Sequence, residues 1–194
     1  MQLENVKIVN LWSICRKGTR ALGPGLRYAL WTQGCQKKCR GCISPESQPI
    51  KPNYVISVED LTKDILANSR LQGITVSGGE PFLQAAPLAC LLKEVKRVRP
   101  DMTSIVFTGY QKEELVWPEA KALLSQTDVL IDGPYRQEQY SPKGLRGSTN
   151  QHFYFLTDAL KCFKEELENG PRNQEIYITE EEIITIGIPN NINN

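Results

Sequence analysis

No run of about eighteen apolar residues occurs anywhere in this 194-residue chain, so no membrane-spanning helix is expected. The opening Met1-Gln2-Leu3-Glu4-Asn5 lacks a basic stretch followed by an apolar one, so no signal peptide is expected. Histidine is nearly missing: His152 stands alone, far in sequence from most of the cysteines. Acidic residues are missing from Asn5 to Pro45, where eight basic ones (Lys7, Arg16, Lys17, Arg20, Arg27, Lys37, Lys38, Arg40) stand unopposed. The rest of the chain carries fifteen Lys/Arg against twenty-two Asp/Glu, so a net charge of +1 conceals two oppositely charged regions. The basic region can be a solvated loop surface or a face that steers an acidic partner. It is confined and comes with no RNA- or DNA-reading motif, so no nucleic-acid partner is expected. A regular disulfide framework is also absent. Three of the six cysteines crowd into one loop, which suits a reducing cytoplasm better than secretion.

What the chain does have is 40% hydrophobic content, enough for one core and one domain. Apolar β-branched runs at Val6 to Leu11, Tyr28 to Thr32, Gly73 to Val76, Ser104 to Thr108 and Val129 to Ile131 read as strands. Ser57 to Asp60 is a capping start for a helix with Leu61, Ile65 and Leu66 on its stripe. A second helix spans about Ala86 to Arg99, burying Leu88, Leu91, Leu92, Val95 and Val98 and stopped by Pro100. A weaker one covers Lys112 to Leu124, interrupted by Pro118. This alternation predicts an α/β fold with a mostly parallel sheet, whose functional loops gather at the carboxyl ends of the strands. Near the end, a helix from Leu156 to Leu167 is expected. Beyond it, a hairpin has isoleucines (Ile176, Ile178, Ile184, Ile186, Ile188) forming one buried face. The Asn190 to Asn194 tail is expected to fray.

Cys35, Cys39 and Cys42 form C-x3-C-x2-C directly after a strand. A [4Fe-4S] cube has four irons that each ordinarily take one thiolate, so three local ligands leave one iron open to bind a small molecule. Zinc is the rival, but its sites favour four ligands in paired C-x2-C units or with histidine. Cys15, Cys90 and Cys162 are isolated, and Cys90 on its apolar helix reads as a core residue. Ser77-Gly78-Gly79-Glu80-Pro81 follows a strand. Its two glycines permit close backbone approach, and its carbonyls and carboxylate can accept from an ammonium group. Taken alone it is also an ordinary strand-to-helix corner.

Together, C-x3-C-x2-C and GGEP resemble the radical S-adenosylmethionine superfamily. Gly23 to Arg27, Gly41, Phe107 to Tyr110, Asp132-Gly133 and Leu145 to Gln151 narrow the resemblance to the activating proteins of anaerobic (class III) ribonucleotide reductase, over Val6 to Gln151. The resemblance implies an incomplete α/β barrel, one [4Fe-4S] cluster on Cys35, Cys39 and Cys42, and S-adenosylmethionine on the open iron. It implies cofactor contacts from Gly41, Cys42 and Ile43 near the adenine or cluster, and from Ser77, Gly78, Gly79 and Glu80 near the methionine moiety. No catalytic side chain beyond cluster and cofactor is implied. Arg27, Tyr110, Asp132, Arg146 and Asn150 are weaker candidates for the site wall. The implied activity is formation of a 5′-deoxyadenosyl radical that makes a glycyl radical on a partner reductase, with a flavodoxin- or ferredoxin-like electron donor. Another radical substrate such as a peptide, or a non-catalytic iron–sulfur module, are the alternatives. Residues 1–152 are expected to form the iron–sulfur domain and 153–194 an unmatched extension packed on it. The stretch Asn10 to Thr19, with Cys15, is longer than the family pattern suggests.

Overall fold

A computed structural model describes residues 7–178 and 183–189. The expected strand start at Val6 and the expected frayed tail over 190–194 fall outside them. The main sheet has seven strands: β1 (Ile8–Thr19), β2 (Arg27–Thr32), β3 (Tyr54–Ser57), β4 (Gly73–Gly78), β5 (Thr103–Phe107), β6 (Val129–Asp132) and β7 (His152–Phe155). Their order is β3-β1-β2-β4-β5-β6-β7. The four central strands β2, β4, β5 and β6 run parallel, while β1, β3 and β7 are attached antiparallel. Helices α1 (Val58–Ala67), α2 (Ala85–Val98) and α3 (Pro118–Leu124) connect them. The architecture is therefore mixed α/β with a mostly parallel centre. Among the described residues, no helix is long and apolar enough to cross a membrane.

Alternation along the strands divides the core in two. Tyr28, Leu30, Ile74, Val76, Val106 and Leu130 point to the face covered by α1, α2 and α3. Ala29, Ile105, Val129 and Ile131 point to the other, which packs against Leu145 from the loop after β6 and against Leu160, Leu167, Ile186 and Ile188 from the C-terminal segment. That segment holds α4 (Lys164–Asn169) and an antiparallel hairpin of β8 (Glu175–Ile178) and β9 (Ile183–Ile186). With every long helix on one face, the opposite face is free to form a cavity.

Several expectations change. Ser57 does cap α1, accepting from the Asp60 amide at 3.0 Å. Pro118 starts α3 at its first position instead of interrupting a longer helix, because its missing N–H costs nothing there. Cys90 is exposed, not core. It lies on the solvent side of α2 with Glu94 and Arg97, about one turn apart, while Leu88, Leu91, Leu92 and Val95 take the buried side. Val98 at the helix end is also 51% exposed. The helix expected from Leu156 begins only at Lys164, after a short 3-10 turn over Lys161–Phe163. Thr157 is tied to Asp128 at 2.7 Å, which holds the chain against β6 beyond the end of β7. β3 and β7 were not anticipated, being four-residue edge strands with little buried alternation. The stretch Asn10 to Thr19 continues β1 along β2, with irregularities between Leu11 and Ser13 and between Cys15 and Thr19.

Two buried charges lock the sheet. The Arg27 guanidinium is fully buried and donates to Thr75 Oγ1 (2.7 Å), Thr103 Oγ1 (2.9 Å), Pro24 O (3.1 Å) and Ile74 O (2.8 Å). Burial pulls its pKa down to about 9, opposed by the charge of Asp128, so it stays protonated at neutral pH. Asp128 accepts from the Ser104 amide (2.7 Å), Ser104 Oγ (3.0 Å), Lys96 Nζ (2.8 Å) and Thr157 Oγ1 (2.7 Å). Burial alone would raise its pKa, but Lys96 and Thr157 overcome that and hold the carboxyl below its ordinary value of 3.8. A depressed carboxyl stabilises the fold above its unfolded pKa and loses that contribution as pH falls through the folded one. Asp128→Asn should therefore cost about 1–3 kcal/mol at neutral pH. The gap from the parent should narrow in acid below 3.8. Urea unfolding at neutral and acid pH checks both.

Candidate functional site

At the carboxyl ends of the four parallel strands, the loops converge on one cavity of about 720 Å³. The Cys35 loop leaves β2, Ser77 to Glu80 leave β4, Gly109 leaves β5 and Gly133 leaves β6, and all of them contribute to its wall. Volumes of this order hold a small-molecule ligand or cofactor.

The cysteine loop is held by main-chain bonds: Gly34 N to Ser47 O (2.7 Å), Cys35 N to Gln48 O (2.9 Å) and Cys42 N to Cys39 O (3.3 Å). Three positive-φ residues turn it, Gly34 at 102°, Lys38 at 49° and Gly41 at 69°. A Cβ on Gly41 would also stand 2.9 Å from the Gln137 side chain. Cys35, Cys39 and Cys42 are half-buried and all line the cavity. Cys35 Sγ accepts from the Lys37 amide at 3.4 Å. Burial pushes the Cys35 and Cys39 thiols up, and each is raised further by the neighbouring cysteines. Three thiolates here thus call for a positive centre among them. Among the described residues, no three His, Cys, Asp or Glu side chains gather as they would around a single ion. A cube asks less, because each thiolate meets a different iron. The donor set therefore fits an iron–sulfur cluster.

The glycine pair makes the β4 corner possible. A Cβ on Gly78 would lie 2.3 Å from Thr32 N, and one on Gly79 would lie 2.3 Å from Gly34 O. The cysteine loop and the β4 corner touch backbone to backbone, with Gly79 N on Thr32 O and Glu80 N on Gly34 O, each at 2.8 Å. Glu80 is 1% exposed and its carboxylate is fully engaged. It accepts from Phe82 N (2.9 Å), Thr108 Oγ1 (2.8 Å) and Gly109 N (2.8 Å). Burial pushes this carboxyl up, while those three bonds and Lys37 pull it down. The carboxylate thus fastens the β4 corner to the β5 loop, and the acceptors left for an ammonium group are main-chain carbonyls.

Of the other sequence candidates, Ile43 lines the cavity and Gly41 stands behind it. The five weaker wall candidates do not line it. Arg27 begins β2, at the opposite end of the strand from the cysteines, and serves the core. Tyr110 buttresses from outside, with Lys37 Nζ 3.7 Å from its ring centroid and Trp117 edge-on at 5.6 Å. Asp132 is fully buried and holds the Lys112 amide at 2.7 Å. Asn150 donates to Pro134 O at 2.8 Å, and Arg146 lies over the Phe153 ring at 5.9 Å. From the same motif it is Gly147 and Gln151 that reach the wall. Gln151 binds Gly147 N (2.8 Å), Ser148 N (3.1 Å) and Gly133 O (2.9 Å). Lys37 of the basic stretch, Trp31 of the β2 strand and Phe107 of the family motif also line the cavity, as does Tyr135, which no sequence feature marks.

The chain matches the 4Fe-4S single cluster domain family over residues 21–154. It is 37% identical over 136 residues to the anaerobic ribonucleoside-triphosphate reductase-activating protein of Haemophilus influenzae, covering 66% of this chain and 87% of that protein. The protein of the same name from Vibrio cholerae is 37% identical over 144 residues, 70% of this chain and 91% of its own. The pyruvate formate-lyase-activating enzyme of Staphylococcus epidermidis is 42% identical over 80 residues, 38% of this chain and 32% of that one.

If Glu80 is a fastener, Glu80→Gln should destabilise the metal-free protein by about 1–3 kcal/mol, because the amide turns a donor toward a buried donor. Unchanged unfolding of that variant would mean the carboxylate is free for a ligand.

Proposed function

We infer the activity from the premise that this chain belongs to the 4Fe-4S single cluster domain family and is a radical S-adenosylmethionine enzyme of the ribonucleotide reductase activating group. It generates a glycyl radical on a partner enzyme, an anaerobic ribonucleotide reductase. What carries this reading is the meeting of Cys35, Cys39 and Cys42 with Ser77, Gly78 and Gly79 on one cavity wall. When bound, a [4Fe-4S] cluster with one iron free of cysteine supplies one electron that splits S-adenosylmethionine into methionine and a 5′-deoxyadenosyl radical, which takes a Cα hydrogen from the partner's glycine and leaves as 5′-deoxyadenosine.

The residues of this chain bind and orient. Cys35, Cys39 and Cys42 hold the cluster. Carbonyls of the Ser77 to Gly79 corner receive the cofactor's amino group, and Glu80 acts by positioning that corner. Gly41 and Ile43 flank the adenine or cluster side. The seven-stranded sheet, whose order ends at β3 and β7, is read as an incomplete barrel open to a macromolecular substrate. Residues 1–152 are read as the iron–sulfur domain, with 153–194 packed on it. A flavodoxin- or ferredoxin-like donor in a reducing cytoplasm fits the basic stretch from Lys7 to Arg40. The second reading, a radical enzyme acting on a different polypeptide, is favoured by the residues beyond 154, which the family match does not reach.

The anaerobically reconstituted protein should bind about four irons per chain. It should form 5′-deoxyadenosine with dithionite and S-adenosylmethionine. With its reductase it should give a glycyl radical by electron paramagnetic resonance. Alanine at Cys35, Cys39 or Cys42 should reduce cofactor cleavage to background, and Cys90→Ala should leave it intact. Full cleavage in any of the three cluster variants would contradict the ligand assignment. Cleavage without a glycyl radical would favour the second reading.

A further inference from the structure

The hairpin has two apolar faces, not one. In its register Ile176 opposes Thr185 and Tyr177 opposes Ile184. Directly opposed residues share a face, and neighbours along a strand alternate. Tyr177, Ile184 and Ile186 therefore share one face, and Ile176 and Ile178 lie on the other. The first face is anchored. Ile186 is buried in the second core cluster, and the Tyr177 hydroxyl donates to Glu175 Oε2 at 2.9 Å. Glu175 Oε1 in turn accepts from the Arg20 amide at 2.9 Å. The second face is bare: Ile176 is 65% exposed and Ile178 77%. Both nonetheless line the same cavity as Cys35, Cys39 and Cys42.

We propose that Ile176 and Ile178 form a docking strip for an extended apolar segment of a partner polypeptide, the segment that carries the target glycine into the cavity. The proposal rests on the glycyl-radical reading above and names how the partner is held. A free small molecule does not suit this strip. It is mainly aliphatic, with the Thr185 hydroxyl opposite Ile176 as its one polar group, and it continues out of the cavity along a hairpin anchored at its base. A polypeptide suits it for two reasons. Isoleucines at i and i+2 accept the alternate side chains of an extended chain. Within the described residues β8 and β9 pair only with each other, so each keeps a free strand edge. The strip and the cysteines line one cavity, so a chain lying on the strip has its end directed toward the cysteines. Because the strip lies beyond residue 154, where the family match ends, it would distinguish this protein's partner from those of its relatives.

The test compares the reconstituted parent with I176K/I178K and I176V/I178V, titrating each with the anaerobic ribonucleotide reductase of the same genome. The lysine pair should weaken the complex by about tenfold or more, and the valine pair should bind like the parent. Iron content and thermal unfolding should be the same in all three, because neither isoleucine is buried. Parent-like binding by I176K/I178K would overturn the proposal, as would a parent that does not bind the reductase. A change in the lysine variant's oligomeric state when alone would also overturn it, assigning the strip to a second copy of this chain. Failure of the activity reading is separate: it appears as a parent that makes no 5′-deoxyadenosine, whatever the binding result.

Discussion

One buried carboxylate sets the geometry of the cavity. Glu80 accepts three hydrogen bonds, two of them from Thr108 and Gly109 at the end of the neighbouring strand. Its own amide bonds to Gly34, one residue before Cys35. Three loops from three adjacent parallel strands are thereby fixed by a single residue. An anion taken so far out of water is tolerable only when both its oxygens are hydrogen-bonded, as here. The glycines beside it remove the side chains that would hold the cysteine loop and the β4 corner apart.

The same economy governs the sheet. All three long connecting helices pack on one face, so apolar burial there stabilises the fold without blocking the strand ends. The other face is closed from the C-terminal side by Leu160, Leu167, Ile186 and Ile188, and the remainder of it is cavity. Arg27 stabilises the far end of β2 through neutral acceptors alone, so the sheet carries a fixed positive charge remote from the cysteines. Arg172 likewise joins the C-terminal segment to the loop after β6, donating to the carbonyls of Gly144 (3.0 Å) and Pro189 (3.0 Å) and to that of Arg146. The residues beyond the family match are thus part of the structure that shapes the cavity.

The strands flanking the cysteines and GGEP were legible because central parallel strands are apolar on both faces and end in glycine. The cysteine loop and the corner glycines were legible because few residue types can serve there. Side-chain roles inside the loops were less so. Nothing local distinguishes Gln151, which lines the cavity, from Asn150, which ties Pro134 from behind. The choice depends on which way a turn faces once β7 has paired with β6. Cys90 departs from its expected burial for a related reason. Residue type suggested burial, but the phase of the helix decided it. The hairpin's alternation was visible, yet whether Ile176 shares a face with Ile184 depends on a register that sequence spacing leaves open.

Three buried polar atoms have no hydrogen-bond partner among the described residues: the Tyr135 hydroxyl, Arg146 Nε and Asn150 Oδ1. Each such group costs about 1–3 kcal/mol. All three lie in the stretch between β6 and β7, the same stretch that supplies Gly133, Gly147 and Gln151 to the wall. A fold that satisfies Glu80, Arg27 and Asp128 so completely does not leave polar atoms bare for want of suitable residues. Only Tyr135 of the three lines the cavity, as the cluster cysteines do. Its hydroxyl is therefore the one that a group bound beside the cysteines could satisfy. Arg146 and Asn150 stand behind the wall, out of a ligand's direct reach, and their unmet polar atoms leave this loop less firmly held than the Glu80 corner it faces.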